Sequence, residues 1–215
     1  MQSNISKLQF ITPQATHSKE FYKKIEFLLS CGINWLQYRN KLSAEAEFIE
    51  IGKQLQKICK KYNTTFIVND RIHLAKILKA DGVHVGQKDD SITEVKKILG
   101  DKFIIGNSTN NYNEIEAAQK AGASYVGLGP FQFTNTKDNL NPILGLNGYQ
   151  KIMMNAIENI SIPIVAIGGL TINEIIQIKK LGINHFAMSS YLFNMNTQKE
   201  IYYLIEKIHS TKDFV

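Results

Sequence analysis

An α/β fold, a single-domain TIM (β/α)8 barrel over residues 1–215, is what this sequence predicts, on three observations. About eight short apolar runs recur at fairly regular intervals, with helical patterns between them. The runs are apolar on both faces, as a sheet covered by helices requires. Nearly all end in polar or glycine residues, the pattern of parallel strands whose C-terminal ends feed one site. Strict alternation with right-handed crossovers leaves a doubly wound sheet or a closed barrel, and eight units in 215 residues favour the barrel.

In chain order, strands are predicted at residues 8–12, 34–39, 65–69, 82–86, 103–108, 125–129, 163–168 and 185–189. After the second, Phe48, Ile51, Leu55, Ile58, Cys59 and Tyr62 recur at helical spacing, which places Cys59 on a buried stripe. Glu114, Ala117 and Ala118 mark a shorter helix after the fifth. Ser91-Ile-Thr-Glu94, Thr171-Ile-Asn-Glu174 and Thr197-Gln-Lys-Glu200 each fit a capping box, in which a hydroxyl satisfies an early amide and the glutamate reaches back. Gly32, Gly122 and Gly182 stand where helices should stop. Residues 131–147 form the longest irregular stretch, unusually long for a βα loop, and are a candidate lid or substrate-binding loop.

Composition narrows the function classes. The chain is 44% hydrophobic, ordinary for a globular protein. Its net charge of +6 admits nucleic acid as a partner. The lysines, however, are spread over helices, as in Lys53, Lys57, Lys60, Lys61, Lys96 and Lys97, and no Arg-rich arm or Cys/His finger occurs. Solvated helix faces are the reading adopted. A basic nucleic-acid-binding protein is the non-enzymatic alternative, and it requires strongly salt-dependent binding. No apolar run approaches the roughly 20 residues of a membrane helix, and residues 1–8 lack a signal-peptide apolar region. Cys31 and Cys59 form no CxxC motif, so both are expected reduced, in a cytoplasm. The expectation is small-molecule substrates, no nucleic acid, no membrane, and a possible homo-oligomer.

The strand ends carry the chemistry. Alternation puts Gln37 and Arg39 on one face, and with Lys41 two cations stand ready for a diphosphate; a surface salt-bridge patch is the alternative. Asp70 and Asp89 follow neighbouring strands. Alone, Asp70 reads as a helix N-cap; together the two suggest a Mg²⁺ site completed by water and substrate phosphate. Ser108 ends the fifth strand and reads either as a helix cap or as a site hydroxyl. Thr134, Thr136 and Lys137 after the sixth strand can ring an anion. Gly168-Gly169 and Ser189-Ser190, each before a helix start, read as a phosphate cradle after the last two strands. The histidines do not cluster at strand ends. His84 is mid-strand, a core or hydrogen-bonded residue rather than a catalyst.

Phe66-Ile67-Val68-Asn69-Asp70-Arg71, Ala80-Asp81-Gly82-Val83-His84-Val85-Gly86-Gln87, Gly127-Leu128-Gly129-Pro130, Thr134-Asn135-Thr136-Lys137 and Ala166-Ile167-Gly168-Gly169 together resemble the thiamine-phosphate synthase family, in order over nearly the whole chain. The resemblance implies a Mg²⁺-dependent transferase that joins a pyrimidine methyl diphosphate to a thiazole phosphate, releasing thiamine phosphate and pyrophosphate. It implies that Gln37, Arg39, Lys41, Asn69 and Lys137 bind the pyrimidine diphosphate and that Asp70 and Asp89 hold Mg²⁺. Thr134, Thr136, Gly169, Ser189 and Ser190 would hold the thiazole phosphate, and Ser108 would contact the diphosphate or the reacting groups. The family's Gln-Leu-Arg-Glu-Lys is here interrupted by Tyr38 and Asn40, its Thr-His-Thr is Thr109-Asn110-Asn111, and a usual loop proline is Phe133. A sister group that isomerises the thiazole phosphate lacks the aspartates and the loop lysine and uses a histidine in the sixth-strand loop. Pro130 stands at that histidine's place here.

Overall fold

The computed structural model of the chain describes residues 5–134 and 141–210. Its strands are β1 (Leu8–Ile11), β2 (Trp35–Tyr38), β3 (Thr65–Asn69), β4 (Gly82–Val85), β5 (Ile104–Thr109), β6 (Tyr125–Leu128), β7 (Ile164–Ile167) and β8 (His185–Met188). All eight predicted strands form, each within one residue of its expected ends. Each pairs in parallel with the next, and β8 pairs with β1, so the barrel closes.

Strand residues alternate between two environments, and the buried apolar side chains divide accordingly. Phe10, Leu36, Phe66, Val126, Ala166 and Phe186 face outward and join the large cluster shared with the helices. Ile11, Trp35, Ile67, Tyr125, Val165 and Ala187, one position along, form a separate cluster inside the barrel. Each fully buried Leu, Ile or Phe of the outer shell contributes about 1.5–3 kcal/mol. That shell therefore carries most of the apolar burial and leaves inward positions at the strand ends free to be polar.

The helices are α1 (Lys19–Ser30), α2 (Glu45–Lys61), α3 (Ile72–Ile77), α4 (Ile92–Leu99), α5 (Tyr112–Ala121), α6 (Gly145–Asn159), α7 (Ile172–Lys179), α8 (Ser190–Phe193) and α9 (Gln198–His209). Phe48, Ile51, Leu55 and Cys59 are the buried stripe of α2, as their spacing requires. The capping boxes expected at Ser91, Thr171 and Thr197 all form. Gly122 caps α5 in the left-handed conformation, where a Cβ would be strained.

The irregular stretch after β6 is shorter than the sequence suggested. Helix α6 begins at Gly145, so Gly145–Asn147 are helical. The reason is a tied neck: the amides of Leu144 and Gly145 donate to the carbonyls of Pro130 and Phe131 at 3.0 and 2.9 Å, bringing the loop's exit back to its entry.

Tyr149 of α6 fastens this region to the barrel. Its hydroxyl donates to the Leu128 carbonyl at the end of β6 and accepts from the Ile167 amide at 3.4 Å at the end of β7. The side chain is fully buried, so no water can replace it. Tyr149→Phe should lower unfolding free energy by about 1–3 kcal/mol, the cost of stranding buried polar groups. Denaturant titration measures this as a lower midpoint at unchanged slope. A loss below about 0.5 kcal/mol would show that the strand ends do not depend on this hydroxyl.

Candidate active site

Inward-facing residues at the C-terminal strand ends, and the loops that follow, enclose a cavity of about 420 Å³. Gln37, Arg39, Lys41, Asn69, Asp70, Asp89, Ser108, Thr134, Gly169, Ser189 and Ser190 all line it. Every nominated site residue that is described is thus in one place. Thr136 and Lys137 lie outside the described residues.

On the side of β2 and β3, the Gln37 side-chain amide donates to Asn69 Oδ1 at 2.7 Å. This leaves Gln37 Oε1 buried with no hydrogen-bond partner among the described residues. A buried acceptor left unpaired costs about 1–3 kcal/mol, so it is poised for a ligand N–H. Tyr38, the departure from the family motif, points the other way: it is buried against Phe48 of α2, with ring centroids 4.3 Å apart. Asn40 donates to the Ala15 carbonyl at 3.2 Å and is likewise buried. Neither departure faces the ligand space.

Asp70 does not cap a helix. The residue preceding α3 is Arg71, and no side chain caps that end. Asp70 instead takes a left-handed φ of 62°, which aspartate tolerates better than most residues. The turn sets its carboxylate 3.0 Å from Lys41 Nζ. Burial raises the Asp70 pKa, the Lys41 ammonium opposes that rise, and the nearby Asp89 carboxylate adds to it. Asp89 is held in turn by the Gly86 amide, which donates to Oδ2 at 2.7 Å. Two neighbouring carboxylates of like charge favour a cation between them. Among the described residues no group of three or more His, Cys, Asp or Glu gathers. Two carboxylates suit a hard cation that keeps water and phosphate oxygens in its shell.

Across the cavity, Gly168 and Gly169 have φ of 102° and 65°. A Cβ on Gly168 would lie 2.7 Å from Pro130 Cα, and one on Gly169 would lie 2.9 Å from the Phe133 carbonyl oxygen. Both therefore need glycine for conformation and for space. Ser189 Oγ is buried beside this turn with no partner among the described residues. Exposed turn amides and an unpaired hydroxyl suit an anion such as phosphate.

Ser108 is not a cap either, since Asn111 caps α5. Its hydroxyl meets His84 Nε2 at 2.9 Å. Asn110 replaces the family histidine and donates to the carbonyls of Gly129 and Pro142, both at 3.0 Å, so it ties the neck of the loop. Phe133 is exposed. Several lining residues escaped the sequence reading. His84, read correctly as hydrogen-bonded, also lines the cavity, as do Gly127 and Gly129. The available signal was parity, because Gly127 sits two residues beyond inward-facing Tyr125.

Comparison with known proteins gives concordant results. The family described as Thiamine monophosphate synthase matches residues 8–192. The Thiamine-phosphate synthase of Phocaeicola vulgatus is 42% identical over 190 residues, 88% of this chain and 91% of that protein. The Thiamine-phosphate synthase of Flavobacterium johnsoniae is 38% identical over 207 residues, 95% and 97%. Among solved structures, thiamine phosphate pyrophosphorylase from Pyrococcus furiosus superimposes with a TM-score of 0.80 at 30% identity, covering 95% of this chain and 97% of that one.

The raised Asp70 pKa has a consequence for stability. The folded protein holds this proton more tightly than the unfolded chain does. As pH rises through the ordinary carboxylate range, near about 4, and on through the folded value, the stabilisation present at lower pH is lost. Above that window Asp70 therefore stabilises the metal-free fold less than its protonated form would. Asp70→Asn, which keeps shape and tolerates the left-handed turn, should melt at or above the wild-type temperature at pH 7 in chelator. Melting below wild type would contradict this.

Proposed function

The chain belongs to the thiamine monophosphate synthase family and is a transferase of thiamine biosynthesis, and on that premise we propose how its own residues carry the reaction. The substrates are a hydroxymethylpyrimidine diphosphate and a hydroxyethylthiazole phosphate. The observation that supports this most is the two-sided cavity, with cations and carboxylates at β2 to β4 and the glycine turn with Ser189 at β7 and β8.

Arg39, Lys41 and Lys137 bind the diphosphate and take up the charge that grows on it as it leaves. Gln37 and Asn69 seat the pyrimidine, with Gln37 Oε1 accepting from an N–H of that substrate. Thr134, Thr136, Gly169, Ser189 and Ser190 hold the thiazole phosphate. The bond between the methylene carbon and the diphosphate oxygen breaks first, and its electron pair leaves with pyrophosphate. The thiazole nitrogen then donates its lone pair to the pyrimidine-stabilised cation, forming the C–N bond. No protein nucleophile is required. The chain's task is to hold the two rings face to face and to exclude water from the cation, a role we assign to the loop after β6. Asp70 and Asp89 would hold Mg²⁺, which would supply charge neutralisation at the diphosphate. We take residues 1–215 as one functional unit acting in the cytoplasm on small molecules alone; the free, buried thiols of Cys31 and Cys59 are in keeping with that compartment.

Purified protein, Mg²⁺ and both substrates should yield thiamine phosphate and pyrophosphate in equal amounts, with turnover lost in EDTA and restored by Mg²⁺. Absence of product from folded protein would remove the proposal and make thiazole isomerisation the next assay. Asp89→Ala should keep the fold and lower Mg²⁺-dependent turnover about 100-fold or more, as for other charge-stabilising groups. Full activity would sink its metal role. Lys137→Ala should lower kcat more than it raises the thiazole KM, and a change confined to that KM would move Lys137 to the other substrate.

A further inference from the structure

At the cavity floor, three neighbouring strands share one level. His84 of β4 is in register with Gly106 of β5, and Gly106 with Tyr125 of β6. Gly106 is not in the left-handed region, so its glycine is a matter of space. A Cβ there would lie 2.4 Å from the Tyr125 hydroxyl and 2.5 Å from His84 Nδ1. Through that gap the Tyr125 hydroxyl meets His84 Nδ1 at 3.0 Å. From the far side Gln9 Nε2 donates to the same hydroxyl at 3.2 Å. His84 Nε2 then meets Ser108 Oγ at 2.9 Å. Gln9, Tyr125 and His84 are all buried, and the chain of contacts reaches the cavity at its His84–Ser108 end, where both residues line it.

The donors can be assigned in order. A phenol has one proton to give. The Gln9 amide gives to the Tyr125 oxygen, and the buried phenol proton needs an acceptor of its own, which His84 Nδ1 at 3.0 Å supplies. That fixes a neutral imidazole protonated at Nε2, which gives to Ser108 Oγ. The Ser108 proton is then directed into the cavity. We propose that Gln9, Tyr125 and His84 are positioning residues that hold Ser108 as a hydrogen-bond donor to the departing diphosphate oxygen. The role of Ser108 rests on the synthase reading above; the orientation of the relay does not.

The test has two arms. In substrate-free protein labelled with ¹⁵N-histidine, the His84 nitrogens should show the neutral Nε2–H tautomer at pH 7. Tyr125→Phe, which keeps the ring and removes the proton donor, should shift His84 toward the Nδ1–H tautomer. An Nδ1–H or doubly protonated ring in the wild type, or an unchanged tautomer in the variant, overturns the relay. The wild-type spectrum decides the direction even if the variant does not fold. In the coupling assay, Tyr125→Phe should lower kcat about tenfold, the worth of one misdirected hydrogen bond, with both KM values within about twofold. Combined with Ser108→Ala it should cost no more than Ser108→Ala alone. Multiplying losses, or a change in KM alone, would reduce these residues to structural support. Inactivity of the wild type would instead count against the synthase reading, while the tautomer result stood.

Discussion

Closure of the barrel imposes a period of two on every strand, and the rest of the molecule is organised by it. One set of side chains must meet the helices and the other must meet its own kind across the barrel axis. Phe66 and Val68 face outward on β3, whereas Ile67 faces in and Asn69, next in the inward series, reaches the cavity. The same rule turns Tyr38 toward α2 and leaves its neighbours Gln37 and Arg39 in the cavity. A residue at a strand end is thus assigned to stability or to chemistry by its parity before its identity matters.

The cavity end of the barrel is built from groups that do not favour folding. Gln37 Oε1 and Ser189 Oγ are buried without partners, Asp70 holds a left-handed turn, and two carboxylates approach each other. Each costs on the order of 1–3 kcal/mol. The outer shell offsets them, since single buried side chains there contribute as much in the opposite sense. Helix ends secured by three capping boxes add to that reserve.

Much of this was legible from residue order. Strand positions could be read because β-branched and aromatic runs stand between glycines and polar clusters, as in Thr65–Asn69. The capping boxes could be read because their chemistry is local. The nominated residues that line the cavity followed from their placement at strand ends, and Asp70 and Asp89 from their occurrence on adjacent ones. What escaped is non-local. That Asp70 turns toward Lys41 rather than capping α3 depended on a backbone angle that no composition rule sets. The start of α6 was hidden because it depends on hydrogen bonds to Pro130 and Phe131, far back in the chain. His84 could be recognised as hydrogen-bonded, but its place between Tyr125 and Ser108 required the register of three strands.

The tied neck of the loop after β6 has a meaning beyond packing. Leu144 and Gly145 are bonded back to Pro130 and Phe131, and Asn110 grips the carbonyls of Gly129 and Pro142 from the neighbouring strand end. Bonds at the barrel rim therefore contribute to bringing the loop's ends together. Because closure entropy grows only slowly with length, the stretch between the ties can be lengthened, shortened or recomposed while β6, β7 and α6 keep their register. The neck thus acts as a socket at the barrel rim, holding β6 and α6 in place through bonds made outside the stretch between the ties.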